Sequence, residues 1–394
     1  MKIAFFLSGS EYGGGLSQSN GFLEVIKNLN LTDHEIVFIT DKTSYKILLE
    51  KKNIKCLLFK KNFFTKILFF LCGIKDINKF YIFNLLNPFE KFINNNKIDL
   101  LVFSSPSYYS IYCENVKFVI NIWNTELKKL KIFIELSGKN FIYQNRVISS
   151  SVLNAYKIIV FTKKNKDDLI KYYNCPAEKV IVQNLMPNLP NIYNQLKNKI
   201  NFSEIYKEFD LNKDIKWFFY PAQFWSHKNH IYLIDALKIL KDKNVNNIGF
   251  LFSGKDHGNL EYVKKAINSN SLNKNIKILG FLDEQKIISI YKFCSGVVTP
   301  TYVGRSSLPL LEAIFFNKRI IYGQDILDDE LKGYVEEVNL NNANDLSLKL
   351  NSYDSTNVKY EANSYDQLCS KNNFLNTYKN IINEFRFIRR KWGN

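Results

Sequence analysis

Residues whose types suit phosphate binding lie together in the stretch 294–316, CSGVVTPTYVGRSSLPLLEAIFF. A short apolar run ends at Pro300, and a turn of small residues follows. Ser307 then precedes a Leu-Pro pair, as an N-cap residue precedes the first turn of a helix. This pattern predicts a strand, a tight loop and a helix. Such a junction points unpaired backbone N–H groups and the positive end of the helix dipole at the loop, which favours a phosphate there.

Glu312 could add sugar recognition to the same junction. It follows Leu308 by four residues, about one helical turn, so its carboxylate can stay near the loop. A carboxylate in that place can accept two hydrogen bonds from a vicinal diol, as the acidic residue of dinucleotide-binding folds does with a ribose. On this stretch alone, however, an ordinary capped helix with an early Glu placed for its dipole is the better explanation.

A second glycine-rich junction lies near the start of the chain. The apolar run KIAFFLSGS is typical of a buried parallel strand, and Gly13, Gly14 and Gly15 separate it from a helical pattern. Glycines let the backbone approach a ligand closely. The run lacks both G-x-G-x-x-G spacing and a Walker lysine, so a surface turn explains it about as well.

Length and composition indicate a folded protein of two domains. The chain has 394 residues, of which 46% are apolar and 23% charged, values typical of folded proteins rather than disordered ones. The net charge of +17 suggests a basic surface, but only six of the 54 basic residues are Arg. Arg is the preferred reader of base edges and phosphates, and no nucleic-acid-binding module is recognisable. Nucleic-acid binding therefore ranks last among the possible functions.

Cysteines, histidines and apolar runs limit the remaining classes. The six Cys are scattered without a C-x-x-C pair, and no signal peptide is apparent, so we predict free thiols in a reducing, cytoplasmic compartment. Only His227 and His230 are close in sequence, which predicts no structural metal. The longest apolar run, 63–74, contains Lys66 and is well short of the roughly 20 residues that span a bilayer. We predict that the chain does not cross a membrane.

The elements that must position these residues alternate along the whole chain. Apolar runs typical of buried parallel strands alternate with helical patterns, so we predict an α/β fold with a doubly wound sheet in each half. The predicted strands include 2–10, 35–40, 54–60, 99–105, 116–123 and 155–162, and then 215–222, 248–254, 276–281, 296–302 and 319–323. Such sheets bind ligands beyond the carboxyl ends of their strands, where residues 13–15, 104–107 and 123–126 fall.

A change of pattern between 186 and 214 separates the two halves. This stretch is polar and Asn-rich and contains two prolines. We predict an N-terminal domain over 1–190, a linker over 191–214 and a C-terminal domain over 215–370. The amphipathic pattern over 371–394 predicts a final helix, which we expect to pack back on the N-terminal domain.

The chain resembles a retaining GT-B glycosyltransferase in four features. These are its two similar α/β halves, the glycine loop after the first strand, and the motifs FFYPAQFWSHKNH (218–230) and TPTYVGRSSLPLLEA (299–313). The most similar group is glycosyltransferase family 4, also called glycosyl transferases group 1. The resemblance implies two Rossmann-like domains that face a cleft, with a nucleotide-sugar donor held mostly by the C-terminal domain.

The resemblance also assigns roles to individual residues of the donor site. Lys228 would contact the diphosphate, Arg305 would meet a phosphate or a sugar hydroxyl, and Glu312 would bind the ribose hydroxyls. These three are the candidate catalytic residues. Further donor-binding positions are Gly14, Gly15, Gly280, Phe281, Ser306, Ser307 and Leu308.

The chain departs from the family pattern in two places. The family places another Glu eight residues before Glu312, where this chain has Gly304. The family's Asp or His after the fourth or fifth N-terminal strand is also missing, and NIWNTE supplies Asn124 and Glu126 instead. Together with Tyr108, these two residues are the candidates for the acceptor side.

We therefore expect an enzyme that moves a hexose, with mannose a candidate, from a nucleotide diphosphate sugar to a glycan or polyprenyl-linked acceptor. Its role would be in bacterial surface polysaccharide synthesis, and we expect it to need neither a cofactor nor a metal. The alternative is a non-catalytic GT-B scaffold that binds a nucleotide, a glycan or a protein partner. The missing Glu favours the scaffold, whereas Lys228, Glu312 and the glycine loop argue against it.

The basic aromatic stretch 51–79 has two interpretations. The more economical one is a buried helix with solvated lysines. The other is peripheral docking at the anionic inner face of the cytoplasmic membrane, where each exposed Lys adds about 1 kcal/mol. Docking would suit a lipid-linked acceptor.

Overall fold

The computed structural model describes residues 1–7, 13–31, 33–61, 63, 87–196, 204–305, 307–352, 360–361 and 363–391. The chain divides into two units. The first unit consists of Met1–Lys128, Lys139–Gln183 and Asn372–Asn394, and the second of Lys129–Gly138 and Asn184–Lys371. The segment 129–138, which comes from the first half of the sequence, therefore belongs to the second unit, and so does the predicted linker 191–214.

Strands alternate with helices throughout the described residues. In chain order the strands are β1 (Lys2–Phe6), β2 (Glu35–Thr40), β3 (Cys56–Leu58), β4 (Leu100–Phe103), β5 (Phe118–Asn121), β6 (Lys157–Val160), β7 (Val180–Val182), β8 (Lys216–Pro221), β9 (Ile248–Ser253), β10 (Ile276–Gly280), β11 (Gly296–Thr299), β12 (Arg319–Gly323) and β13 (Glu336–Val338).

The helices cover the faces of these strands and connect them. In chain order they are α1 (Gly13–Ile26), α2 (Thr43–Lys51), α3 (Pro88–Asn95), α4 (Gly138–Asn154), α5 (Lys163–Tyr173), α6 (Leu189–Leu196), α7 (Glu204–Glu208), α8 (His230–Asp242), α9 (Leu260–Ser269), α10 (Glu284–Phe293), α11 (Leu308–Phe315), α12 (Ala343–Asn351), α13 (Ser364–Leu368) and α14 (Lys371–Arg389). None of these described helices is both long and apolar enough to cross a bilayer.

The first unit is built on a parallel sheet in the order β3-β2-β1-β4-β5-β6-β7. Its central strands are almost entirely apolar because helices cover both faces of a doubly wound sheet. Every residue of β4 and β5 is accordingly buried. The strand order reverses between β1 and β4, whose register pairs Ile3 with Leu100.

The second unit is built on a parallel sheet in the order β10-β9-β8-β11-β12-β13. The two sheets confirm the predicted α/β class with two Rossmann-like halves. The strand order of this sheet reverses between β8 and β11, where Gly296 pairs with Phe218 and Val297 with Phe219. Ligands of open α/β sheets bind outside the carboxyl ends of the strands at such a reversal. The loops that follow β8 and β11 are therefore the first place to look for a site.

The final helix, α14, belongs to the first unit. The Tyr378 hydroxyl donates to Asn121 Oδ1 at the end of β5, at 3.1 Å, and the ring packs edge-on against Phe22 of α1. Arg389 forms a 2.7 Å ion pair with Asp99, just before β4. The last described helix of the sequence therefore packs with elements from its first third.

Candidate active site

Two loops meet at the reversal point of the second sheet. The first follows β8 and ends in the 3-10 turn Ser226–Lys228, and the second follows β11 and leads into α11. The first loop passes very close to Gly254, where an added Cβ would lie 2.3 Å from the carbonyl oxygen of Ala222. A residue with a side chain at 254 would therefore displace the backbone that leads to Lys228.

Lys228 is held at its backbone and points its ammonium at the second loop. The Tyr220 hydroxyl donates to the Lys228 carbonyl oxygen at 2.7 Å. The Lys228 Nζ lies 3.4 Å from Thr301 Oγ1, a long hydrogen bond. The half-buried side chain therefore places a positive charge between the two loops, where it can attract an anionic ligand.

Hydrogen bonds join the second loop to the first. The carbonyl oxygen of His227 accepts from the backbone N–H of Tyr302 at 2.9 Å and from Thr301 Oγ1 at 3.3 Å. Gly304 has a φ of 101°, a conformation that side chains rarely adopt, and its carbonyl oxygen accepts from the Tyr322 hydroxyl at 2.8 Å. Arg305 follows directly and is buried. Lys228 therefore lies on the first loop and Arg305 on the second, and the two loops are hydrogen-bonded to each other. The donor role of both residues stays a prediction.

Helix α11 begins as the sequence predicted. Ser307 is its N-cap, and the side chain accepts from the backbone N–H of Leu310 at 3.3 Å, with Pro309 in the first turn. The first N–H groups of a helix have no partner within the helix, which makes this end suitable for a phosphate. Leu308 is buried at the start of the helix. Ser306 lies outside the described residues, so its predicted role stays a prediction.

Glu312 lies on α11 and is only 5% exposed. Its Oε2 accepts from the Tyr291 hydroxyl at 2.8 Å. Burial raises the pKa of Glu312 to about 7, and the negative charge of Glu284 adds to the rise, whereas the hydrogen bond from Tyr291 opposes it. A buried carboxylate with a raised pKa is a candidate for a binding or catalytic role.

The predicted base-binding residues lie farther along the same sheet edge. Gly280, with a φ of 70°, ends β10, and β10 is separated from β8 by β9. Phe281 is 49% exposed, and the Lys255 ammonium lies 5.0 Å from the centre of its ring. An exposed ring beside a cation is suited to stacking with a planar base.

The other candidate residues belong to the first unit. Gly14 and Gly15 lie in the first turn of α1, so the helix begins within the glycines rather than after them. The predicted glycine loop is therefore a glycine-rich helix N-terminus. Asn124 and Glu126 follow β5, with Asn124 half-buried and Glu126 buried, whereas Tyr108 follows β4 and stacks on Tyr143 at 5.6 Å between ring centres.

Glu135 lies beside the candidate site and was not predicted from the sequence. Its Oε1 accepts from the backbone N–H of His227 at 2.9 Å and lies 2.7 Å from Nδ1 of the same residue. Burial, together with the charge of Lys228, lowers the pKa of His227 to about 4, so the ring is neutral near pH 7. No motif spacing could have found this pair, because the two residues are 92 positions apart.

The described part of the chain contains no group of three His, Cys, Asp or Glu side chains that could hold a metal ion. Metal independence stays a prediction.

Comparison with known families identifies the second half of the chain. Residues 201–362 match the family model named Glycosyl transferases group 1. This part of the chain is therefore similar to glycosyl transferases group 1 domains. The matched range contains both loops, α11 and the end of β10, so the match covers Lys228, Arg305 and Glu312 together.

One curated relative is a capsular polysaccharide biosynthesis glycosyltransferase, CapH of Staphylococcus aureus. It is 28% identical over 210 residues, which cover 52% of this chain and 53% of CapH. The chain therefore matches about half the length of this relative.

Solved structures show the same two-domain architecture. The glycosyltransferase from Rickettsia africae ESF-5 gives a TM-score of 0.69 at 19% identity and covers 98% of each chain. Anabaena Alr3699/HepE, solved in complex with UDP and glucose, gives a TM-score of 0.63 at 13% identity, with 100% of this chain and 99% of HepE covered. At these identities the likeness shows the fold alone, which is GT-B.

Proposed function

We propose that the protein is a retaining, family 4 glycosyltransferase that moves a hexose from a nucleotide diphosphate sugar to a glycan or polyprenyl-linked acceptor. The observation that carries the proposal is that Lys228, Arg305 and the capped N-terminus of α11 all belong to the two loops that follow β8 and β11, at the reversal point of the second sheet. Three sources of positive potential at one sheet edge suit a diphosphate. The glycosyl transferases group 1 match and the likeness to CapH support surface polysaccharide synthesis as the setting.

Each of these groups would have its own role in binding the donor. Lys228, Arg305 and the helix N-terminus would stabilise the charge that develops on the leaving diphosphate, which is usually the largest single contribution to catalysis. Glu312 would bind the ribose hydroxyls, and the backbone at Gly280 and Phe281 would hold the base. HepE binds UDP and glucose, which supports a nucleoside diphosphate sugar as donor. Uracil, guanine and thymine all remain candidates for the base, and mannose is a candidate sugar.

Retention would follow from attack on the face that the leaving group occupies. The bond between the anomeric carbon and the diphosphate oxygen breaks while the acceptor oxygen bonds to the same face of that carbon. The departing phosphate oxygen takes the proton of the acceptor hydroxyl. This route needs no protein nucleophile and no metal, and the charges at Lys228 and Arg305 would stabilise its transition state.

The acceptor would be bound by the first unit, with Asn124, Glu126 and Tyr108 as candidates. A lipid-linked acceptor would require the protein to reach an anionic membrane surface. Most of the stretch predicted to dock there lies outside the described residues, since 64–86 are not described. In its described part, Phe63 is 72% exposed, which supports docking. The exposed Lys60 and Lys61 fit both interpretations.

A transfer assay tests the proposed function. UDP-glucose, GDP-mannose and a dTDP-hexose are offered with polyprenyl-diphosphate-linked glycans, and the product's anomeric configuration is read by NMR. We expect one donor to be consumed, its anomeric configuration to be kept, and turnover to be unchanged by EDTA. An inverted anomer would refute retention, and loss of turnover in EDTA would refute metal independence. Nucleotide binding without any transfer would favour the scaffold instead.

A further inference from the structure

The segment 129–138 is part of the donor-binding unit although the first half of the sequence supplies it. Its aromatic contact with the two loops is made by Phe133. The Phe133 ring packs on Tyr302, at 5.4 Å between ring centres, and edge-on to His227 at 6.2 Å. Leu136 is buried as well. The segment is therefore packed against both loops of the candidate active site.

Glu135 is the polar contact of this segment. A single carboxylate oxygen receives both the backbone N–H and the Nδ1–H of His227, and each side chain is about one-tenth exposed or less. Because the ring is neutral and Nδ1 faces a carboxylate, the proton is on Nδ1. The pair therefore fixes both the backbone and the ring of the residue that precedes Lys228.

His227 is also hydrogen-bonded to the second loop. The His227 carbonyl oxygen accepts from Tyr302 N–H at 2.9 Å. Thr301 Oγ1 lies 3.3 Å from the same oxygen, and its shorter bond, at 2.8 Å, goes to the Val303 carbonyl. Thr301 Oγ1 also lies 3.4 Å from the Lys228 ammonium. Polar contacts thus connect Glu135 through His227 and Thr301 to the Lys228 ammonium. The Lys228 backbone is joined to His227 directly by the peptide bond.

We propose that Glu135 is a positioning residue for the donor diphosphate and that it acts through Lys228. Glu135 would not contact the diphosphate itself, because the two negative charges repel each other. Glu135 instead restrains His227 and, through it, Lys228. A phosphate binds more tightly when the lysine that receives it is already held in place. This inference rests on the proposed function, because it assumes that Lys228 contacts the diphosphate.

A double-mutant cycle on nucleotide affinity tests the inference. UDP, GDP or dTDP, whichever the wild type binds, is titrated calorimetrically into wild type, Glu135→Ala, Lys228→Ala and the double variant. We expect Glu135→Ala to weaken binding by about tenfold or more, the scale of one lost charge-assisted hydrogen bond. In the Lys228→Ala background the same change should cost almost nothing further. Glu135→Gln, whose amide oxygen can still accept from His227, should recover most of the affinity.

Two controls separate positioning from a general loss of structure. Glu261→Ala removes a carboxylate that is 72% exposed on α9, and its nucleotide affinity should equal that of the wild type. Thermal unfolding is followed for every variant. If Glu135→Ala lacks a cooperative transition, the cycle is repeated with Glu135→Asp, in which the shorter side chain withdraws the oxygen from His227 and the same loss is expected.

The outcomes distinguish this inference from the function on which it rests. Equal affinity in wild type and Glu135→Ala overturns the inference and leaves the proposed function intact. An equal loss in the presence and absence of Lys228 also overturns it, because Glu135 would then act independently of the lysine. If the wild type binds none of the three nucleotides, the proposed function itself fails.

Discussion

Replacing Lys228 by alanine is expected to lower turnover by about 10²–10³-fold, the range measured when one charge-stabilising contact to a transition state is removed. The physical reason is that the departing diphosphate gains negative charge as the glycosidic bond breaks, and the Lys228 ammonium is fixed between the two loops that would receive it. Steady-state kinetics with the preferred donor measures the effect. The fold should be unaffected, since the side chain is only half-buried.

A lysine elsewhere on the domain provides the matched control. Lys264 on α9 is 46% exposed and pairs with Glu261, so Lys264→Ala makes the same chemical change far from the loops in sequence. It should keep wild-type turnover. Near-normal turnover in Lys228→Ala, with the unfolding midpoint unchanged, would contradict the role given to this lysine.

Replacing Glu312 by glutamine is expected to stabilise the fold in alkaline solution. The folded state raises the pKa of Glu312 from its ordinary 4.5 to about 7. Between these values the folded protein binds more protons than the unfolded chain, so the free energy of unfolding falls as the pH rises. Above pH 7 the whole penalty applies, about 3 kcal/mol. Glutamine carries no charge and can still accept from Tyr291, so it removes the penalty.

Urea unfolding at pH 5 and at pH 8.5 measures this effect. The glutamine variant should be more stable than wild type by up to about 3 kcal/mol at pH 8.5 and should differ by about 1 kcal/mol or less at pH 5. Glu261→Gln, an exposed counterpart, should show no such pH dependence. A stability difference that is the same at both pH values would show that burial does not strain the Glu312 carboxylate. Activity of the glutamine variant should fall, because stability gained at a binding residue usually comes with lost function.

The sequence could predict the sheets and the capped helix because their signals are local. The central strands are unbroken apolar runs since both faces of a parallel sheet are covered, and Ser307 with Pro309 marks a helix start by chemistry within four residues. Strand β13 was missed because two of its three residues are glutamates, so it forms no apolar run. It pairs with β12 at the sheet edge, where polar residues are tolerated.

Two features of the site could not be predicted for different reasons. The glycines at 13–15 suggested a loop because glycine is a poor helix former, but the first turn of a helix tolerates it where backbone N–H groups are exposed. Glu135 carries no motif, and its contact with His227 joins residues that only the folded chain brings together. Contacts of that kind depend on the three-dimensional fold, and a single sequence contains no local signal for them.

Nucleotide binding is the most direct test of a diphosphate-sugar site built on Lys228, the α11 N-terminus and Glu312. UDP, GDP and dTDP are each added at high concentration, and the thermal midpoints of wild type and Glu312→Ala are recorded in EDTA and again in magnesium. A ligand at 100 times its Kd stabilises by about 2.7 kcal/mol, which shifts the midpoint measurably. One nucleotide should raise the midpoint of the wild type and not that of the variant. If no nucleotide raises the wild-type midpoint under either condition, the site does not bind a nucleotide diphosphate and the account is wrong.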